Sequence, residues 1–307
     1  MSLRLSTAPH IRSPRSSTRL MVNVLIALTP SAAFGVYNYG LKALMVILVS
    51  MASAVLSELL WQLITKRPVR IKDCSALVTG MILALVVTPE IPWWMIMIGS
   101  AFAIIIVKEL FGGIGDNFLN PALAARAMLL ASWPAVLTSH IDIDGITKAT
   151  PLAEGAYSEY SYLDLLIGRI PGVIGETCKL AIIAGLVFLI LTRTVTWRIP
   201  TFTVLSAFVM AWIVGLDPIY TVLAGGLIFA AAFMANDYTT SPMSVHAQVV
   251  YACGIGIITV VIRKWGSYPE GATYAVLFMN LLTPLLDRYI PHKVYGHKKV
   301  KEEKAHE

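Results

Sequence analysis

Charge is what this sequence has least of. Only 14% of its 307 residues are Asp, Glu, Lys or Arg, against about 25% in a soluble domain. That shortage excludes an ordinary water-soluble fold. Cysteine is scarce too. Cys74, Cys178 and Cys253 are far apart and form no CxxC pair, which excludes a zinc site or an iron–sulfur cluster within the chain. The three read as inert thiols packed like small hydrophobes. There is no Gly-x-Gly-x-x-Gly fingerprint, so dinucleotide binding of the usual kind is excluded. The apolar residues do not alternate along ten-residue segments, as the strands of a membrane β-barrel would require.

What the chain does have is long apolar runs. Its hydrophobic share is 57%, and its mean hydropathy is +0.72. About 20 apolar residues cross a bilayer as a helix. The pattern predicts an all-α integral membrane protein with about ten transmembrane helices. The runs lie at 20–37, 41–64, 75–88, 93–110, 118–137, 173–191, 200–216, 219–235, 247–262 and 272–286. The first follows a basic segment and resembles a signal peptide. It reads as an uncleaved helix, because a second run follows at once and makes a hairpin. The third run is too short to cross and ends in Thr88-Pro89-Glu90-Ile91-Pro92. It is therefore expected to be a broken or re-entrant helix lined by protein. Trp93 and Trp94 look like interfacial anchors.

The net charge of +6 describes topology, not a nucleic-acid site. With a cytoplasmic N-terminus, roughly 17 Lys and Arg fall inside and about five outside. Arg126 and Lys179 lie within runs, and Arg263 and Lys264 fall on the side opposite to the bias. The expected organisation is a basic cytoplasmic segment (1–19), a first transmembrane repeat (20–137), an extracytoplasmic loop (138–172), a second repeat (173–287) and a charged cytoplasmic tail (288–307). Both repeats break an apolar run with Asn, Asp and Pro, at FGGIGDNFLNP (111–121) and at ANDYTTSP (235–242). Five runs per half put the halves in opposite orientations, the plan of an inverted repeat with broken helices. Short polar turns between ordinary helices would leave the same pattern. Asn117, Asn120, Arg126, Asn236, Asp237 and Asn280 are the polar groups expected inside the bundle. Such groups are functional candidates by default, for an ion path or a ligand. Arg126 could equally be held in a structural pair.

The central loop carries Asp144-Gly145-Ile146-Thr147-Lys148-Ala149-Thr150-Pro151-Leu152. Thr150 offers a hydroxyl where a modifying enzyme can reach it, Ala149 leaves room for the enzyme's approach, and Gly145 permits a tight turn. Thr150-Pro151 also has the form of an N-cap with Pro at N1, and a phosphate there would meet a helix N-terminus. As a cap alone it is incomplete, because Ala153 stands where a capping box needs Glu or Gln.

DGITKATPL resembles the sequence on which a flavin transferase attaches FMN to threonine through a phosphoester. Lys148 stands where Gly or Ser is common. Together with GGIGDNFLNPALAARA and MANDYTTSP, the whole chain resembles the D subunit of the Rnf complex, and it is similar to the B subunit of the sodium-translocating NADH:quinone reductase. The resemblance implies covalent FMN at Thr150, with Asp144, Gly145, Thr147 and Ala149 completing the flavinylation sequence. It also implies a second, non-covalent flavin such as riboflavin, whose ligands it does not assign. It implies an inner-membrane redox subunit that relays electrons while ferredoxin:NAD⁺ electron transfer is coupled to Na⁺ or H⁺ movement. The chain would not be catalytic alone. Its partners would be iron–sulfur, NADH-binding and second flavin-bearing subunits, a flavin transferase for maturation and the lipid bilayer, with no nucleic acid and no metal. From a different class, a secondary transporter or channel without a redox cofactor would share the broken helices but would need no Thr150 stretch. The topology has its own test. A cysteine introduced by Ser158→Cys should react with an impermeant maleimide in intact cells, and reaction only after lysis means that the orientation is reversed.

Overall fold

A computed structural model describes residues 16–138, 140–141, 147–148, 152, 160–266 and 270–291. Among these the regular structure is helical, apart from one antiparallel pair of two-residue strands. These are β1 (His140–Ile141) and β2 (Thr147–Lys148), with Ile141 opposite Thr147. Three helices are long and apolar enough to cross a membrane: α1 (Ser17–Tyr39), α2 (Leu41–Ile64) and α12 (Val245–Trp265). Their outer faces suit lipid. Leu41, Met45, Leu48, Leu56 and Leu60 are exposed along α2, and Trp93, Trp197, Trp212 and Trp265 are all more than half exposed, where aromatic belts belong.

The first half continues with α3 (Ser75–Leu85), α4 (Trp93–Ala101), α5 (Pro121–Ser132) and the short α6 (Pro134–Leu137). A π-helical turn, Phe102–Glu109, extends α4. α7 (Tyr162–Ile167) lies in the central region. Then come α8 (Lys179–Leu191), α9 (Arg198–Val214), α10 (Pro218–Leu223) and α11 (Leu227–Phe229), which runs into a second π-helical stretch, Ala230–Met234. α12 and α13 (Ala272–Tyr289) complete the bundle.

Several expected runs change at their ends. The eighth is not one helix: it breaks at Ala224-Gly225-Gly226 into α10 and α11. The fifth begins at Pro121, not 118, because Asn120 caps it. The sixth begins at Lys179, since 168–178 is non-helical chain. Of the thiols, Cys178 is buried while Cys74 and Cys253 are partly exposed.

α3 and the π-helical end of α11 form the buried middle. α3 is short, as expected, and the chain beyond it stays inside: Val86, Val87, Thr88 and Ile91 are all under 5% exposed. Non-helical backbone at such depth must be paired by protein. Here the N–H groups of Gly175 and Ile174 donate to the carbonyls of Leu85 (2.7 Å) and Val87 (3.2 Å).

Two helix pairs run antiparallel across the halves. At one end of the α1–α8 pair Asn23 donates to Thr194 (3.0 Å). At the other, Asn38 and Tyr39 donate to the carbonyls of Gly168 and Gly172 (3.2 and 3.0 Å). α5 and α13 meet where Arg126 donates to Thr273 (2.8 Å) and where Asn120 meets Asn280. Small residues permit the closest approaches. A Cβ at Gly185 would stand 2.3 Å from the Ala27 carbonyl oxygen. Gly185→Val should therefore lower the melting temperature of the purified protein, costing about 1–3 kcal/mol by overpacking. Gly172→Ala, where the nearest atom is 3.8 Å away, should leave it unchanged.

Candidate functional site

The break at FGGIGDNFLNP and the break at ANDYTTSP face one another across a cavity of about 90 Å³. Its apolar wall includes Val24, Val78, Ile82, Leu189 and Phe233, and its polar side is Ser75, Thr79, Lys108, Asn117, Asn120, Asn236 and Asp237. Four of the six expected interior polar residues are thus brought together. Asn120 is the joint between the halves. Its Oδ1 accepts from the N–H groups of Ala122 and Leu123 (3.1 and 3.2 Å), capping α5 with Pro121 at N1. Its Nδ2 donates to the Met234 carbonyl (3.3 Å), which the broken α11 leaves open. Asn236 donates to the Ala231 carbonyl (3.1 Å) and Asn117 to that of Leu119 (3.1 Å). The hydroxyls of Thr239 and Thr240 donate to Asp237 Oδ2 (3.2 and 3.4 Å). Asn280 lies behind the cavity. With its amide turned to satisfy both ends, its oxygen accepts from the Asn120 N–H (3.2 Å) and its nitrogen donates to the Tyr251 hydroxyl (2.6 Å).

Arg126 belongs elsewhere. Its Nη1 donates to Thr273 and lies 3.6 Å from Glu176 Oε1, and its Nη2 pairs with Glu270. Glu270 in turn accepts from the Gly226 N–H (3.0 Å). Lys179 donates to the carbonyls of Glu176 and Gly225, the latter at 2.8 Å. Arg263 donates to the carbonyls of Thr221 and Ala224. Its place inside the protein explains why it ran against the charge bias of the loops. Three cations and two carboxylates therefore surround the α10–α11 break. The last residue of the DGITKATPL stretch reaches the same place. Leu152 packs with Leu165, Ile170, Tyr220 and Ala224, and a Cβ at Gly225 would collide with Leu152 and Arg263. Nearby, the Tyr162 hydroxyl donates to Asp217 (2.5 Å). Partial burial pushes the Asp217 carboxyl up, but the hydrogen bonds from Tyr162, Tyr220 and Ile219 outweigh it and hold the group below the usual carboxylate range. Asp144, Gly145, Ala149 and Thr150 lie outside the described residues, as does the side chain of Thr147.

Sequence reasoning missed Glu58, Lys108, Glu176 and Glu270. The signal was there for Glu58, an acid in the middle of the 41–64 run, and for Lys108, which is only 3% exposed near the end of the 93–110 run. Glu176 carried the same signal, an acid inside the 173–191 run. Glu270 stands in a polar stretch, where nothing local marks it as buried.

The arrangement defines a class: a helical membrane protein whose broken helices meet at one polar cavity, with a buried charge cluster at a second break. The chain belongs to the NQR2, RnfD, RnfE family, whose profile matches residues 4–296. It is 45% identical to the D subunit of the Na(+)-translocating ferredoxin:NAD(+) oxidoreductase complex of Acetobacterium woodii, over 99% of this chain and 98% of that protein. It is 37% identical to the D subunit of the proton-translocating ferredoxin:NAD(+) oxidoreductase complex of Clostridium ljungdahlii, over 95% of this chain and 96% of that one. It is 36% identical to the D subunit of the ion-translocating oxidoreductase complex of Halorhodospira halophila, over 95% of each.

Removing one partner of a buried ion pair costs about 3–5 kcal/mol, because the other charge is stranded. Arg126→Met should therefore lower the melting temperature sharply. Arg126→Met combined with Glu176→Gln and Glu270→Gln should recover part of the loss. No recovery in the triple variant shows that the charges are not coupled.

Proposed function

We propose that the chain is the D-type subunit of an ion-translocating ferredoxin:NAD⁺ oxidoreductase complex, and that it relays electrons through FMN bound covalently to Thr150. The observation that carries this reading is the near-complete alignment with relatives named as that subunit, joined to the DGITKATPL stretch. The NADH-binding and iron–sulfur work falls to partner subunits in the inner membrane, since this sequence has neither a dinucleotide fingerprint nor a cysteine cluster. The coupling ion is Na⁺ or H⁺; the relatives include both kinds by name. Positive charge favours the outer placement of an anionic flavin phosphate near Leu152, where Arg126, Lys179 and Arg263 outnumber Glu176 and Glu270.

Ten spans in two inverted repeats fit this packing. α3 packs against α1 and α2, and α11 with its π-helical end packs against α8 and α9. α4 packs on α2 and α12 on α9, while α1 pairs with α8 and α5 with α13. In this correspondence the end of α3, at 86–92, matches 235–242. The GDNFLNP stretch instead matches the segment before α13.

The resemblance also implies a second, non-covalent flavin, riboflavin in kind, for which the inner cavity offers matching polar groups but too little room. Asn117, Asn120, Asn236 and Asp237 supply the donors and acceptors that an isoalloxazine edge needs, on an apolar wall. The polar lining fits such a group, but the cavity's volume falls short of a three-ring system. Met21, Phe233 and Tyr238, which also line it, would have to move aside. Such a group, when bound, would supply one-electron chemistry.

On a denaturing gel, protein made alongside the flavin transferase should fluoresce in its band, and Thr150→Val should abolish the signal. A dark wild-type band returns the chain to the transporter reading, which the broken helices alone would support. Acid extraction of native protein should release one further flavin per chain, and Asp237→Asn should reduce that amount while the gel band stays bright.

A further inference from the structure

A second cavity, of about 680 Å³, lies where α1 begins and α2 ends. α1 contributes Ser17 and Thr18 to its wall, and α2 contributes Glu58 and Gln62. The loop after α2 adds Arg67, Arg70, Lys72 and Asp73, and the π-helical turn adds Glu109. The charges are sorted by depth. Glu58 and Glu109 are both under 5% exposed and form the floor. Arg67, Arg70 and Lys72 are exposed and form the rim.

The two signs are also engaged differently. Glu58 Oε1 accepts from Lys108 Nζ (2.9 Å). Asp73 Oδ1 accepts from the Ser75 N–H (3.0 Å) and hydroxyl (2.9 Å). The rim cations lack such partners. Arg67 Nη1 donates only to the Glu109 carbonyl (3.4 Å). Among the described residues the side chains of Arg70 and Lys72 take part in no hydrogen bond or ion pair. The charge bias of loops explains why basic residues gather at this end. It does not explain why three of them line one cavity of this size.

Two further features describe what would fill it. The first turn of α1 carries no acidic residue. Its N–H groups have no acceptor inside the helix, and the helix dipole makes that end positive, so it favours a phosphate. Outside the rim, Leu63, Ile64 and Val69 are all more than half exposed, an apolar fringe beside a basic mouth. The floor offers acceptors: Glu58 Oε2 is buried with no hydrogen-bond partner, and the Glu109 carboxylate lies beside it, each within reach of Gln62 Nε2. A ligand here needs a phosphate at the rim, donors at its tip and an apolar body. Headgroup hydroxyls meet the floor; a headgroup carboxylate would be repelled by it.

We propose that this cavity binds one anionic phospholipid with a polyol headgroup, phosphatidylglycerol in kind. Arg67, Arg70, Lys72 and the α1 N-terminus hold the phosphodiester. The headgroup hydroxyls donate to Glu58 and Glu109, and the acyl chains leave over Leu63, Ile64 and Val69. A free phosphate ester shares the rim chemistry, but the apolar fringe favours the lipid. Basic pockets between membrane helices are a known way to hold anionic headgroups. The site stands apart from the electron-relay reading and needs no redox group.

The full-length chain is placed in phosphatidylcholine nanodiscs carrying a minor share of phosphatidylglycerol, released into detergent and weighed intact by native mass spectrometry. The wild type should retain one phosphatidylglycerol in preference to phosphatidylcholine. Arg70→Gln combined with Lys72→Gln should weaken that retention by about tenfold or more. Arg198→Gln combined with Arg288→Gln removes the same charge elsewhere and should leave it unchanged. In phosphatidylcholine alone the first double variant should melt with the wild type; a fall there shows that the two side chains serve the fold, and overturns the proposal. Equal retention of both lipids, or equal weakening in both double variants, also overturns it. Glycerol 1-phosphate, the headgroup chemistry without acyl chains, should raise the melting temperature far less than phosphatidylglycerol does. An equal rise overturns the lipid assignment in favour of a soluble phosphate ester.

Discussion

Every backbone N–H and C=O carried into the hydrocarbon must find its partner inside the protein, and this chain is arranged around that requirement. α3 stops after Leu85, about 16 Å from its start at 1.5 Å per residue, and the chain continues as non-helical backbone through Pro92, with residues 86–89 and Ile91 buried. The carbonyls of Leu85 and Val87 are closed by Gly175 and Ile174. The second break, after Met234, is closed by Asn120. Each half therefore completes the other's broken helix. Neither half could keep its break in lipid alone, where an open carbonyl costs several kcal/mol.

The same requirement decides where chemistry can occur. The stretch that closes the α3 break also carries Glu176 to Arg126 and leads into Lys179, so the charge cluster at the α10–α11 break follows from satisfying the backbone. Asn120, which closes the other break, sets one wall of the inner cavity. Glu58 is different, for it is buried on the regular helix α2. Its partner Lys108 sits on a π-helical turn, a distortion often found at working sites, and reaches the α3 N-terminus through Ser75.

Much of this was legible in the residues. Long apolar runs marked the helices, the short third run marked a break, and Asn, Asp and Pro marked the cavity's two sides. The partners of the buried charges were not legible. Arg126 meets Glu270 across 144 residues, and no local pattern records such a distance. Nor did the sequence show which breaks correspond. Matching GDNFLNP with ANDYTTSP followed composition, whereas the packing favours the poorly marked Val86–Pro92 stretch, whose Pro and Glu do not resemble Asn and Asp. Ala224-Gly225-Gly226 lies inside the apolar run 219–235, and nothing in that run marks a break. What breaks it is Glu270 taking the Gly226 N–H, together with Lys179 and Arg263 taking carbonyls.

α5 joins the two polar regions. Asn120 caps its first turn and faces the inner cavity; Arg126 lies six residues on, about 9 Å along the axis, in the cluster beside Leu152. A single rigid helix thus sets the spacing between the inner cavity and the α10–α11 break beside which Leu152 packs.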